Sequence, residues 1–325
     1  MKKSYLYAET AFHHQGDITY LKKLIETSSQ IGLNGVKFQV LVNINELVSS
    51  YHSQYDILSS YIFSKDQWQD IFSFTKKTGL DIIMMPLDKE SFNLDLRDVA
   101  YFDVHPVSYY DDVVINGIKR HDIPIIIGVG GRKIEEINTL IETLGENVKV
   151  LMTGFQSFPT NINHVKLLRI KSLANLYPGM TIGYADHSSY NDSMSIVSNE
   201  YAYLLGARVF EKHLTLDEGK KRVDFEAAIG PEKMRTIKKN LDFLGNILDS
   251  ENLWEMSQAE IKYSDRQRVA IAKKAIHEGQ KISTDDVVYK MIDQSGGISP
   301  DQKIIGEIAK FSIKKDDIIL KSCIS

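Results

Sequence analysis

Gly35-Val36-Lys37-Phe38-Gln39-Val40 is the stretch on which the reading of this 325-residue chain turns. It reads as a β-strand, and period-two alternation puts Lys37 and Gln39 on one face and Val36 and Phe38 on the other. Inward is the only direction that makes sense of a lysine between two apolar neighbours. Such a strand belongs to a barrel whose polar strand ends gather at one mouth.

Outward from this strand, apolar runs alternate with segments of helical period. Residues 4–9 read as the first strand and 18–32 as the first helix, with Leu21, Leu24, Ile25 and Ser28 at three- and four-residue spacing and Gly32 at a left-handed C-cap. Further strands are expected at 81–85, 101–104, 124–129, 149–153, 181–184 and 207–212, each with a helix-like segment before the next. Helices are expected at 65–78, 134–144, 163–177, 193–205 and 231–248. Eight βα units in residues 1–248 suit a (β/α)8 TIM barrel, with a doubly wound open sheet as the rival. Residues 249–268 are polar and read as a linker. Residues 269–325 read as a second, β-rich unit, small enough that it is expected to lean on another surface.

The charge balance of 39 basic against 43 acidic residues, mixed along the chain, leaves no basic stripe to track nucleic acid or an anionic membrane. A small-molecule partner is expected. Cys323 is the single cysteine, which excludes an intrachain disulfide and a thiolate metal cluster and suits a reducing compartment. With no signal-peptide pattern and no membrane-length apolar run, the expected location is cytoplasmic.

Candidate functional residues lie at strand ends. Glu9 closes the first strand, and Lys37 and Gln39 share the inward face of the second. An inward lysine wants an anion, phosphate being the sharper reading and a salt bridge to Glu9 the bland one. Asp186-His187 end the seventh strand and Glu211-Lys212-His213 the eighth, so two histidines and three other ionisable groups meet on one rim. Such histidines can bind a divalent metal, polarise a carbonyl or move protons, or serve as hydrogen-bonded strand ends. His13 and His14 follow the first strand, Asp17 reads as an N-cap, and Gly128-Val129-Gly130-Gly131 offers backbone amides for an anion.

In this order the residues resemble the sialic acid (N-acetylneuraminate) synthase family, of which the chain looks like a divergent member. Ala8-Glu9 with His14, Gly16 and Asp17 is similar to the family's A-E-x-x-x-N-H-x-G-D, and Val36-Lys37-Phe38-Gln39 to its V-K-F-Q. Pro86 and Asp88, Pro159-Thr160, Gly183 to His187, Glu211 to Thr215, and Asp224 resemble its T-P-F-D, Y-P-T, G-Y-S-D-H, E-K-H-F-T and P-D-H blocks. The tail, through Ala272 to Ile276 and Gly297 to Pro300, resembles the antifreeze-like (SAF) β-clip domain of these enzymes.

The resemblance implies condensation of phosphoenolpyruvate with an N-acetylated hexosamine to a nine-carbon 2-keto sugar acid in surface carbohydrate biosynthesis. Lys37 would then bind phosphoenolpyruvate, Glu9 would move protons, and His187 would hold a divalent ion, Mn2+ or Mg2+. Gln39, Ser108, Asp186, Lys212 and His213 would orient substrates. It also implies a homodimer with each tail domain over the partner's barrel. Departures fall on ligand positions: His13 replaces an asparagine, Met85 a threonine, Thr153 takes the place of a metal-binding histidine, and Asp293 that of the tail's arginine. His105 and Gly128 alter phosphate contacts, and Phe225 replaces a histidine. Two rivals stand: another sugar-acid aldolase or synthase with Lys212 as a Schiff-base lysine, and a barrel that binds a sugar or partner without turnover.

Overall fold

The apolar runs form eight parallel strands in the computed structural model, which describes residues 4–155, 157–248, 252–264 and 266–325. The first half of the barrel comprises β1 (Tyr5–Glu9), α1 (Ile18–Ile31), β2 (Gly35–Val40), α2 (Ile44–Leu47), α3 (Tyr55–Ser59), α4 (Lys65–Lys77), β3 (Asp81–Pro86), β4 (Val99–Val104) and α5 (Asp112–Ile118). The second half comprises β5 (Ile125–Gly128), α6 (Ile134–Leu144), β6 (Val148–Thr153), α7 (Arg169–Leu176), β7 (Thr181–Asp186), α8 (Met194–Leu204), β8 (Val209–Leu214), the short β9 (Ala228–Ile229) and α9 (Pro231–Leu248).

Each of the eight strands pairs with the next, and β8 pairs with β1 from Tyr5–Val209 to Glu9–His213. An open doubly wound sheet has two free edges. The β1–β8 ladder removes both and leaves the barrel as the fold.

The helices form where local chemistry favours them. The Asp17 carboxylate accepts from the Thr19 and Tyr20 amides to start α1, as its cap role requires, and Gly32 ends the helix at φ +82°. A reciprocal Ser64–Gln67 capping box starts α4. The rhythm departs from expectation in two places. Between β3 and β4 the connection holds one 3-10 turn, Glu90–Asn93, instead of a helix. The helix expected from 163 begins at Arg169, because Lys166 takes a left-handed backbone at φ +50°. Between β4 and β5 the helix-like segment, expected without bounds, is the short α5, only seven residues long and capped by the Asp111 side chain.

Alternation along the strands divides the core. Leu6, Val36, Phe38, Met84, Phe102, Leu151 and Phe210 face the helices, while Tyr7, Ile83, Ile126, Val150, Met152, Ala185 and Val209 fill the barrel interior. Among the described residues, no helix is long and apolar enough to cross a membrane.

The chain divides into Met1–Ser250 and Glu251–Ser325. In the second unit, α10 (Gln258–Ser264) lies within the segment expected to be linker; of that segment, 249–251 and 265 are outside the described residues. β10 (Val269–Ala272) then pairs antiparallel with β11 (Val287–Lys290). Despite its size the unit has an apolar core of its own, built on Ala270, Ala272, Ile276, Ile282, Ile298, Ile304, Ile313 and Ile319. Isoleucines spaced through its turns converge there, which the sequence order hides.

Ile83→Ala, which empties a fully buried position inside the barrel, should lower unfolding free energy by about 2–5 kcal/mol in urea titration.

Candidate active site

Lys37 organises the C-terminal end of the barrel. Its Nζ lies 2.7 Å from Glu9 Oε2, 2.9 Å from Glu211 Oε2 and 3.5 Å from Asp103 Oδ1, and all four side chains are buried. Strands β1, β2, β4 and β8 each contribute one of these groups. Tyr7 donates its hydroxyl to Glu211 Oε2 at 2.6 Å, and the Ala11 amide donates to Glu9 Oε1 at 2.7 Å. Sequence reading had paired Lys37 with Glu9 at most; it placed Glu211 on the rim without a partner and did not single out Asp103. Only the period-two position of each at a strand end could have signalled them.

Three carboxylates around one ammonium cannot all ionise freely. Burial pushes the Glu9 carboxyl up to about 8, against the pull of Lys37 and with the push of Glu211. Burial likewise raises Asp103 to about 6. Glu211 is held below its usual range: burial, the largest single influence, pushes it up, but the Lys37 ammonium and the hydrogen bond from Tyr7 stabilise its anion and outweigh that. Lys37 stays protonated because the surrounding carboxylates outweigh its own desolvation. Near neutral pH the cluster therefore holds a protonated acid, Glu9, beside a fixed ion pair, Lys37–Glu211.

Above this layer stand the histidines. His187 Nε2 lies 3.7 Å from Glu211 Oε1, and the His187 and His213 rings are 4.8 Å apart. Phe155 and Phe158 pack on them, with Phe155 4.7 Å from His187 and Phe158 6.2 Å from His213. Burial lowers His187 to about 4 and His213 well below its ordinary value, so both imidazoles are neutral. The cavity enclosed by Lys37, Asp103, His105, Met152, Phe155 and His187 measures about 20 Å3. That is room for one water, so a sugar can enter only if lining side chains such as Phe155 move aside.

Neither nitrogen of His213 has a hydrogen-bond partner among the described residues. His187 lines the cavity and the unpartnered His213 ring lies 4.8 Å from it, so two neutral imidazoles side by side fit a divalent ion, with water or substrate completing its shell. No group of three ionisable ligands converges among the described residues, which suits weak binding.

Several expected site residues lie elsewhere. Asp186 and Lys212 pair at 3.3 Å, fully buried, on the outer face of the barrel wall. Lys212 Nζ donates to the Ser188 carbonyl at 2.9 Å, and Asn199 of α8 donates to Asp186 Oδ2 at 3.0 Å. Alternation is the reason: with Ala185, His187, Glu211 and His213 turned inward, Asp186 and Lys212 must face the helices. They brace α8 instead of touching a substrate in the barrel, and Lys212 cannot serve there as a Schiff-base lysine. At β6 the same parity makes Met152, not Thr153, the cavity-facing residue. Thr153 is buried in register with Tyr184, whose ring packs in the outer core.

Gln39 is half-buried, on the Lys37 face and in register with Met85. Ser108 is buried in the 3-10 turn Pro106–Ser108, and its amide donates to the His105 carbonyl at 2.9 Å. His105 lines the cavity, and burial lowers it to about 3. His13 bridges Val223 O at 2.6 Å and Thr215 Oγ1 at 2.9 Å, and His14 stacks on Phe63, so both hold the rim together. Gly130 lets the Phe155 carbonyl pack where a Cβ would stand. Phe225 lies in a 3-10 turn after β8, and Asp293 is exposed in the second unit.

Comparison with known proteins places this barrel. The family model for the NeuB family matches residues 24–252, most of the chain. The chain belongs to the NeuB family. It is 24% identical over 341 residues to N,N'-diacetyllegionaminic acid synthase of Campylobacter jejuni, covering 98% of this chain and 99% of that one. It is 25% identical over 249 residues to N-acetylneuraminate-9-phosphate synthase of Drosophila melanogaster, covering 72% of this chain and 66% of the other. A crystal structure of a putative spore coat polysaccharide biosynthesis protein E from Chromobacterium violaceum superposes with a TM-score of 0.78 at 21% identity, covering 99% of this chain and 100% of that one. The low identities fit the divergent membership expected from the motifs.

Lys212→Ala would strand a buried carboxylate. It should cost about 3–5 kcal/mol in chemical denaturation, and borohydride with a keto acid should leave the wild-type chain without a covalent adduct by mass spectrometry.

Proposed function

We propose that this NeuB-family barrel is a sugar-acid synthase that condenses phosphoenolpyruvate with an N-acetylated hexosamine to a nine-carbon 2-keto sugar acid. The observation that carries this reading is the convergence of Glu9, Lys37, Glu211, His187 and His213 at the C-terminal end of the barrel, where (β/α)8 enzymes do chemistry. The synthase names of the Campylobacter and Drosophila relatives support the substrate class.

In the proposed reaction, carbon 3 of phosphoenolpyruvate forms a bond to the open-chain sugar's aldehyde carbon, and the aldehyde oxygen takes a proton. Water adds to carbon 2, the bond from carbon 2 to the phosphate oxygen breaks to release inorganic phosphate, and the two protons of that water pass to the Glu9 carboxylate and the departing phosphate. Glu9, protonated near neutral pH, is the acid for the aldehyde oxygen. Lys37 supplies the fixed positive charge that holds the carboxylate or phosphate, at the cost of loosening its own carboxylate partners. Gln39 and Ser108 orient the substrates from the same rim. A divalent ion, Mn2+ or Mg2+, would be held by His187 and His213 and would supply Lewis-acid polarisation of the aldehyde. Phe155, packed on His187 at the cavity wall, restricts water in the site until substrate enters.

The deciding experiment is phosphate release from phosphoenolpyruvate with a panel of N-acetylhexosamines and Mn2+ or Mg2+. Absence of release across the panel would favour a barrel that binds a sugar without turning it over, a reading that the 20 Å3 cavity encourages. Because Glu9 must carry a proton to act as an acid, and its carboxyl sits at about 8, kcat should fall as pH rises through that value. Glu9→Gln should remove that limb of the profile and lower kcat by roughly 10²–10⁴.

The working unit in this proposal is a homodimer in which the tail unit, an antifreeze-like (SAF) β-clip domain, covers the partner's barrel mouth. Truncation before Val269 should lower molar mass by light scattering and lower turnover together, and an unchanged dimer with unchanged turnover would count against it.

A further inference from the structure

A cleft of about 510 Å3 opens on the flank of the barrel, where the β3–β4 connection has a 3-10 turn in place of a helix. In a (β/α)8 barrel each strand is ordinarily followed by a helix that covers the wall beside it. Here Lys89, Phe92 and Asn93 of the short connection form one side of the cleft, and α5 with the turn after it forms the other. Two rows at four-residue spacing line that second side: Asp112, Asn116 and Arg120, and beside them Val113, Gly117 and His121. From Asp112 to Arg120 the helical rise spans about 12 Å.

The floor of the cleft is aromatic. Phe92 and His121 are half-buried, with their rings parallel to within 10° and their centroids 6.2 Å apart. Phe102 of β4 packs against both, at 6.0 Å and 5.9 Å. Gly117 keeps Phe92 seated, because a Cβ there would collide with the Phe92 ring. The polar groups around this floor are uncommitted. The side chains of Lys89, Asp112, Asn116 and Arg120 are exposed and make no ion pair or hydrogen bond among the described residues. Phe102 belongs to the outer core and Asp103 reaches Lys37 inside, so the cleft and the Lys37 cluster are separate sites on opposite faces of one strand.

We propose that this cleft binds a nucleotide. The base stacks on the Phe92–His121 pair, an interaction open to every base because each has a π-face. The carboxamides of Asn93 and Asn116 can both donate and accept, which suits the mixed edge of a base. Asp112 accepts from the ribose hydroxyls, and Lys89 and Arg120 supply the charge for phosphate. A carboxylate beside two cations suits a ligand that carries hydroxyls as well as phosphate, where a bare anion would have no use for it. The volume lies within the range of about 300–1,000 Å3 usual for small-ligand sites. The assignment does not draw on the synthase reading and adds a second ligand, away from the barrel mouth.

The test is calorimetric binding to the full-length protein of the adenosine, guanosine, cytidine and uridine 5′-monophosphates, each against its nucleoside and against ribose 5-phosphate. At least one mononucleotide should bind ~10-fold or more tighter than either fragment, with affinity falling as salt rises. Lys89→Ala/Arg120→Ala removes two exposed, unpaired cations and should leave the melting temperature unchanged while weakening that nucleotide by at least ~10-fold. Asn116→Trp, which fills the cleft and keeps its charge, should weaken it as much. Binding of none of the mononucleotides, a fragment bound as tightly as the nucleotide, or undiminished affinity in either variant would overturn the proposal. Phosphoenolpyruvate and turnover play no part in these titrations, so their outcome is independent of the phosphate-release assay.

Discussion

An ammonium group in a barrel interior must find enough negative charge to offset its lost hydration, and Lys37 finds it on three other strands. Glu9 comes from β1, Asp103 from β4 and Glu211 from β8, so the pairing spans the β1–β8 seam at which the barrel closes. The excess of carboxylate over ammonium then fixes proton placement: Glu9 keeps its proton, while Glu211 stays ionised beside the Lys37 ammonium and the Tyr7 hydroxyl. Catalytic potential and barrel closure depend on the same charges. Any substrate anion must compete with those carboxylates for Lys37.

The barrel wall carries a second set of buried charges with a different task. Asp186 and Lys212 are sequence neighbours of His187 and Glu211, yet they lie on the opposite side of the sheet, tied to α8 through Asn199. One residue of offset separates a group that faces the cavity from one that holds a helix on the wall. The same parity sets the polarity of the β6 strand end, where the thioether of Met152 and not the hydroxyl of Thr153 reaches the cavity. A thioether is a poor ligand for Mn2+ or Mg2+, so any such ion would draw its ligands from His187 and the carboxylates beside it.

Aromatic packing governs access. Phe155 and Phe158 lie against His187, and the Phe155 carbonyl rests on Gly130, so the residues just after β6 cap the inner cavity on that side.

The strand pattern, the caps of α1 and the membership of the family were legible in the sequence, because alternation, turn chemistry and short motifs are local signals. Gly35–Val40 was read with its observed bounds, and Lys37 was read inward. Ring closure was not local: it required Tyr5–Glu9 to meet Val209–Leu214 across the whole barrel unit. Asp103 and Glu211 could be recognised as partners of Lys37 only once that ring had formed. Asp186 and Lys212 shared a rim with the histidines in the linear reading, and only the pleat of the folded strands turned them to the other side. Sequence thus set the elements and the stock of ionisable groups. Tertiary structure decided which of those groups share a low-dielectric space, and there distance and burial, more than residue type, determine charge.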